Sequence, residues 1–580
     1  MVVAPSRPDR IRAMADNWSG APRAIATKVD EWPNGAPPRF FASLSTENSL
    51  CCRPVRPAPN LLLRWFTLFI IVAVAFWLRT RDLENRPMHA DEANQAVKLG
   101  ELIESGRYAF DPRDHHGPTL YFAGAAVAWF RGERTLATLT ETTVRLVPAL
   151  FGTVSVLLIA ALATVGASRM ATRAQMPTTA PSDTPRRAGP SWLALAAAAF
   201  IAVSPPSVYY SRYFVQETLL VTFTLATFLC VVLWWCRGQL GWAVAAGVSA
   251  GLMQATKASA PLFLICAAGA AVAAIALSRT AEDATKTTTS NPRPRRWKRA
   301  LLTALGAAFL TATLNYSSFG THLAGVRDAL GAYAHALTRF GAAAEPTGHE
   351  KAWWYYLRMF GWYREGGMVW HQIAFSPLIA AGLLLAIKRC RHDVFLTWSA
   401  VYAVLVTGAF SYFAYKTPWH AVHFIPGFAL LAASTVSGLG WRWIGRLAGV
   451  ALAVVAVVTL YQQTQRVAFL RPADQRNPYA YVHSTPDVRK YRAVAEAARA
   501  AAPDQPIRVI SDEYWPLPWY LRGIDNVGFY TTPPAETDGA LIIVAADQAD
   551  AVRAQLRRTY RESFLGLRPG VICILFILEP

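Results

Sequence analysis

The chain has 580 residues, of which 53% are hydrophobic and only 16% charged, with a mean hydropathy of +0.23. A soluble chain carries about a quarter charged residues, so these values exclude a disordered, collagen-like or small disulfide-bonded protein and indicate a polytopic membrane protein. The net charge of +20 follows largely from basic loops between apolar runs, the positive-inside pattern of cytoplasmic segments, and does not require nucleic acid.

Residues 1–57 are rich in Arg, Pro, Ser and Asn and read as a flexible cytoplasmic tail, with no cleavable signal. The first apolar run is Leu61 to Leu78. Further runs fall at 146–166, 190–206, 213–236, 241–256, 260–278, 300–318, 372–388, 394–413, 421–438 and 446–461. About eleven of these are long enough for ~30 Å of hydrocarbon. Leu120 to Phe130 is shorter and fits an interfacial or re-entrant helix. If it lies flat, Arg169, Arg173, Arg186 and Arg187 fall inside. So do Lys286, Arg293, Arg295, Arg296, Lys298 and Arg299 of the densest basic loop. The positive-inside rule selects that arrangement.

The membrane domain is therefore expected over 58–461, with 80–144 and 319–371 as its large outer segments. Residues 462–580 form a small α/β domain outside the membrane. Its expected elements are strands at 507–510, 540–545 and 571–578 and an amphipathic helix from Gln548 to Arg558. The setting is a multi-pass protein of the inner (cytoplasmic) membrane, with a cytoplasmic amino terminus.

The outer segments hold the chemistry-bearing residues. In His89-Ala90-Asp91-Glu92 the two carboxylates open a helix over 91–105, where free N–H groups favour acids. They read either as caps or as a catalytic pair, one meeting a nucleophile and the other holding a metal or a hydroxyl. His115-His116-Gly117-Pro118 is either an interfacial turn or a ligand for phosphate or metal. Glu92 and His116 are the candidate ligands for a divalent ion, though no fixed spacing marks them. Arg145 either snorkels at the interface or anchors a lipid-linked phosphate. Glu217 opens an apolar run, where a charge costs at least ~2.5–3.5 kcal/mol and so faces a partner or cavity. Arg212 is the neighbour in sequence. Tyr415-Lys416-Thr417-Pro418-Trp419-His420 fills a tight outer turn, as an aromatic belt or a phosphate contact. The segment 319–371 is dense in Trp and Tyr, and the tail carries Asp512-Glu513 beside Tyr514 to Arg522.

In their order, these segments resemble the C-type glycosyltransferases, polytopic enzymes using polyprenyl-phosphate-linked sugars on the non-cytoplasmic side. The protein O-mannosyltransferases and the lipid A aminoarabinose transferase belong to this group. Asp91-Glu92, His116-Gly117-Pro118, Arg145, Ser211-Arg212 and Glu217 carry the resemblance. His89 to Ala93, Tyr415 to Trp419 and Tyr514 to Arg522 are similar to the flippase-activity-associated subgroup of bacteria and archaea. The resemblance implies that Asp91 is the catalytic base, that Glu92 is an accessory or metal-adjacent carboxylate, and that Arg145 and Lys416 meet the lipid phosphate. Where many members carry Asp after Ser-Arg, this chain has Gln216-Glu217.

His89, His115, His116, Arg212, Glu217 and His420 complete the expected substrate-binding set. The expected partners are a polyprenyl-phosphate sugar, membrane lipid and a protein, lipid or glycan acceptor. The alternative is a non-catalytic component of lipid-linked glycan flipping. A transporter would show inverted repeats and mid-membrane charges, and neither is evident.

Overall fold

The structure is a computed structural model that describes residues 59–111, 116–170, 189–282, 297–340, 350–439 and 443–580. The tail 1–57, His115, His349 and most of the basic segments 167–190 and 279–299 lie outside the described residues. Every apolar run read from the sequence is helical. In chain order the first helices are α1 (Pro59–Thr80), α2 (Ala90–Ser105), α3 (Thr119–Arg131), α4 (Glu141–Met170), α5 (Trp192–Val203), α6 (Pro205–Tyr210), α7 (Glu217–Arg237) and α8 (Leu240–Gln254). They are followed by α9 (Ala260–Glu282), α10 (Trp297–Tyr316), α11 (Ala324–Phe340), α12 (Tyr355–Phe360), α13 (Ser376–Arg389), α14 (Val394–Tyr412), α15 (Ile425–Gly438) and α16 (Trp443–Gln465).

Among the described residues, seven segments are long and apolar enough to cross a membrane, those built on α1, α4, α7, α9, α14, α15 and α16. α5 and α8 are apolar but shorter. α3 has 13 residues, which at about 1.5 Å per residue fall short of ~30 Å of hydrocarbon. Its Leu120, Tyr121 and Gly124 are buried, and α3 packs against α2 and α4.

Close helix packing here depends on missing side chains. Gly247 and Gly251 lie one turn apart on α8. A Cβ at either would stand 2.2 Å from Ala304 O or 2.5 Å from Ala308 O of α10. This is the small-xxx-small device that lets helices in a membrane approach. Gly251→Val should therefore lower stability by about 1–3 kcal/mol through overpacking, read as a fall in the thermal midpoint in detergent. Gly306→Val on α10, where nothing lies within 4 Å, is the matched control.

After a two-stranded hairpin, β1 (Trp362–Glu365) and β2 (Met368–His371), the remaining strands lie near the carboxyl end. They are β3 (Ile507–Ile510), β4 (Val527–Tyr530), β5 (Leu541–Ala545), β6 (Tyr560–Arg568) and β7 (Val571–Leu578), in the order β4-β3-β5-β7-β6. β3 runs parallel to β4 and β5, whereas β7 is antiparallel to β5 and β6. Every residue of β5 is buried, as a strand covered on both faces requires. Helix α17 (Lys490–Ala501) lays Tyr491, Ala495 and Ala498 inward at helical spacing.

The strands expected at 507–510, 540–545 and 571–578 are present. β4, β6 and α17 add to them, and the helix expected over 548–558 is confined to Ala549–Arg553. Only Ala549 and Val552 of that helix are buried, so its inward face ends before Arg558 and the chain turns into β6. Contacts group residues 58–580 as one compact unit, in which the sheet and the helices are continuous.

Candidate active site

Helix α2 begins with a histidine as its cap. His89 Nδ1 accepts the Asp91 N–H at 3.0 Å, and Glu92 turns back to the His89 N–H at 3.4 Å. This is a capping box with His in the place of the usual Ser or Thr. Because Nδ1 accepts, the ring proton sits on Nε2, which donates to Tyr481 O at 2.9 Å. Burial holds the His89 pKa below its ordinary value against the opposing pull of Asp91 and Glu92. The imidazole is therefore neutral, and its two nitrogens fix the start of α2 to the segment that follows α16.

The neighbouring carboxylates have opposite fates. Glu92 is fully buried. Its Oε1 accepts from Arg145 Nε at 2.7 Å, Arg86 at 3.1 Å and the Phe214 N–H at 3.1 Å. Its Oε2 accepts from Arg145 at 2.8 Å and Arg86 at 3.3 Å. Burial alone would raise its pKa, but Arg145 and Arg86 outweigh that and hold the carboxyl well below the usual range. Asp91, one residue earlier, points elsewhere. Its side chain is 51% exposed, 4.0 Å from His89 Nδ1.

Arg145 is fully buried too, and all five of its N–H donors are used. They go to Glu92 and to the carbonyls of Leu83, Arg86 and Pro87. The expectation that Arg145 anchors a phosphate is thus replaced by a role inside the protein. It ties α4 to the segment 83–92. The oxygens of Glu92 are likewise committed, so they do not fit the expected metal role. Among the described residues, no three His, Cys, Asp or Glu side chains form a metal-holding group.

Arg212 is not the partner of Glu217. Its guanidinium donates to the carbonyls of Leu78, Arg81 and Asp82. Glu217 pairs instead with Lys257 from the α8–α9 connection. His116 is brought to the same place. It forms a β-bridge with Lys257, and Gly117 N–H donates to Thr256 O at 3.1 Å. A Cβ on Gly117 would lie 2.0 Å from Ala255 O, so only glycine allows this approach.

The turn after α14 closes the group. His420 and His423 are charge neighbours of Lys257, and His420 Nδ1 lies 3.2 Å from the Tyr356 hydroxyl. Trp419 meets Tyr481 ring to ring at 5.9 Å, and Tyr481 is in turn a charge neighbour of Asp91. The side chain of Lys257 is 15% exposed. Lys416 is more withdrawn, buried and donating to the carbonyls of Lys351 and Phe413, and burial lowers its pKa. Lys257→Met should cost about 1.5–3 kcal/mol, the worth of a hydrogen bond to a charged group. Adding Glu217→Gln should recover part of that loss, which thermal unfolding of the two variants beside wild type will read.

The segment after β3 covers the start of α2. Tyr520 OH accepts the Met88 N–H at 2.9 Å, Trp519 Nε1 donates to Glu141 at 2.9 Å, and Arg522 binds Leu139 O. Sequence reasoning noted Lys257 at the outer end of a span and His423 after the outer turn without assigning either a role, and it did not pick out Arg86 or Tyr481. Arg86 and Tyr481 carried no local signal, because the contacts they make with Arg212 and Trp419 join segments far apart in the chain.

The fold of the chain as a whole has solved counterparts. ArnT from Cupriavidus metallidurans in the apo state is 14% identical, with 88% of this chain and 98% of that chain covered at a TM-score of 0.53. The same protein bound to undecaprenyl phosphate is 13% identical, with 89% and 98% covered at a TM-score of 0.53. The chain shares the fold of that multi-helix protein. A dolichyl-phosphate-mannose-protein mannosyltransferase family model matches residues 184–288, the stretch holding Arg212, Glu217 and Lys257. No curated protein matches the chain in sequence.

Proposed function

We propose that this protein is a membrane glycosyltransferase that moves a sugar from a polyprenyl-phosphate donor to an acceptor on the non-cytoplasmic side, with Asp91 as the base. The observation that carries this reading is the division of labour in the Asp91-Glu92 pair. Glu92 is sealed between two arginines, which leaves Asp91 as the exposed carboxylate on a fixed helix start. The fold shared with a protein solved with undecaprenyl phosphate supports the donor class.

In the reaction, the acceptor hydroxyl or amine loses its proton to Asp91 and forms the new bond to the anomeric carbon. The bond from that carbon to the phosphate oxygen breaks, and the lipid phosphate leaves with its electron pair. Lys257, with His420 and His116 beside it, is the cation placed to offset that charge. This replaces Arg145 and Lys416, whose donors are turned inward. The protein's contribution is to orient the acceptor and to stabilise the leaving group. The site then faces outward, the amino terminus lies in the cytoplasm, and 462–580 is the extracytoplasmic domain.

The test is transfer in proteoliposomes, using radiolabelled polyprenyl-phosphate sugars, native membrane acceptors, and wild type beside Asp91→Asn. Transfer that depends on Asp91 is the expected result. If no donor supports transfer and lipid-linked glycan crosses the bilayer only with the protein present, the proposal fails in favour of the flipping role.

A further inference from the structure

A second cleft of about 680 Å³ lies between the β1–β2 hairpin and the end of α16. Its walls include Trp362, Met368, Val369, His371, Arg466 and Arg471, and it shares no lining residue with Asp91 or the Glu217–Lys257 pair. The Arg466 guanidinium stands 4.9 Å over the Trp370 ring and makes no ion pair with a described residue. Arg471 donates to Asp474 at 3.2 Å, but Asp474 already accepts two bonds from Arg476. Arg471 and Arg476 thus share one carboxylate, and Arg466 has none among the described residues.

One polar atom of the cleft wall is also unsatisfied. His371 Nδ1 is buried without a hydrogen-bond partner among the described residues. A buried polar atom of this kind is rare unless something binds it. Burial, aided by Arg466, keeps the His371 pKa below its ordinary value, so the ring is neutral near pH 7. Trp362 stacks on His371 at 5.7 Å and is 55% exposed.

Location decides the ligand class. The candidate span built on α16 runs from Trp443 to Leu470, and Leu470 lines the cleft. Trp353, Trp354 and Leu357, just before the hairpin, are exposed. Exposed Trp beside Arg at the end of a span marks the headgroup level of a bilayer. Guanidinium groups match phosphate oxygens in geometry and charge.

We propose that this cleft binds the phosphate of a membrane lipid headgroup, with Arg466 and Arg471 as its cations and Trp362 against the lipid backbone. The phosphate can come from a bulk anionic phospholipid or from a polyprenyl phosphate. The site is independent of sugar transfer, so failure of the transferase reading leaves it standing.

The full chain, delipidated in detergent, would be titrated with phosphatidylglycerol, polyprenyl phosphate, phosphatidylcholine and inorganic phosphate, with bound molecules counted by native mass spectrometry. Saturable binding of one of the two anionic lipids is expected, weakened about tenfold by Arg466→Gln or Arg471→Gln, as for the loss of one charged hydrogen bond. Arg358→Gln, whose partner Glu365 lies outside the cleft, should bind as wild type. The tighter of the two lipids identifies the source. Trp362→Ala, an exposed substitution, should weaken lipid binding and serves if an arginine variant fails to fold. Equal binding of phosphatidylcholine, equal binding of inorganic phosphate, or binding unchanged in the folded variants would overturn the proposal.

Discussion

Asp91→Asn should lower sugar transfer by about 10²–10⁴-fold, the usual worth of a general base. The thermal midpoint should stay at its wild-type position. The carboxylate is half exposed, and the ring 4.0 Å away, His89, is neutral, so its removal breaks no buried ion pair. Surface changes of that kind stay within about 0.5 kcal/mol. The backbone N–H of residue 91, which caps on His89, is kept in the variant. A large loss of folded protein in Asp91→Asn would contradict this assignment and make the residue structural.

Glu92→Gln should do the reverse. Removing this charge leaves Arg145 and Arg86 buried without a counter-ion, and breaking a buried pair costs about 3–5 kcal/mol. The expected observation is a marked fall in the thermal midpoint, with any loss of transfer tracking the loss of folded protein. The pH dependence has a definite sign. The folded-state pKa of Glu92 lies below its unfolded value, so the unfolded state takes up the proton first as pH falls. The stabilisation is fully present above about pH 4.3, the ordinary Glu value, and is lost as the pH drops from there through the lower folded-state pKa. Wild type should therefore lose stability more steeply than Glu92→Gln below that point. Parallel curves would show that Glu92 is not held as an ion.

The contrast between these neighbours shows what sequence reading can reach. Two acids at a helix start after an apolar run were legible, because capping and the helix dipole act within one turn. Which acid is sealed was not legible. The partner of Glu92 is Arg145, 53 residues away, and its oxygen also takes a hydrogen bond from Phe214, 122 residues away. Arg212 and Glu217 illustrate the same limit from the other side. They are close in sequence, yet Arg212 turns to carbonyls at the end of α1 and Glu217 to Lys257. Pairing by proximity in the chain fails where several helix ends converge.

The sequence by itself determined the elements. Apolar run length placed the helices, because hydrocarbon demands long unbroken apolar segments with every backbone group satisfied within them. The short β-like runs placed three of the five strands of the terminal sheet. It also located the acidic helix start and the His116-Gly117-Pro118 turn before α3. Only the tertiary structure decided which charges are spent on one another. It joined Arg86, Glu92 and Arg145 into a buried hub and paired Glu217 with Lys257. It left Asp91 exposed and left Arg466 without a counter-ion among the described residues. The physical reason is that desolvation and ion pairing depend on distances through space, which local pattern does not encode.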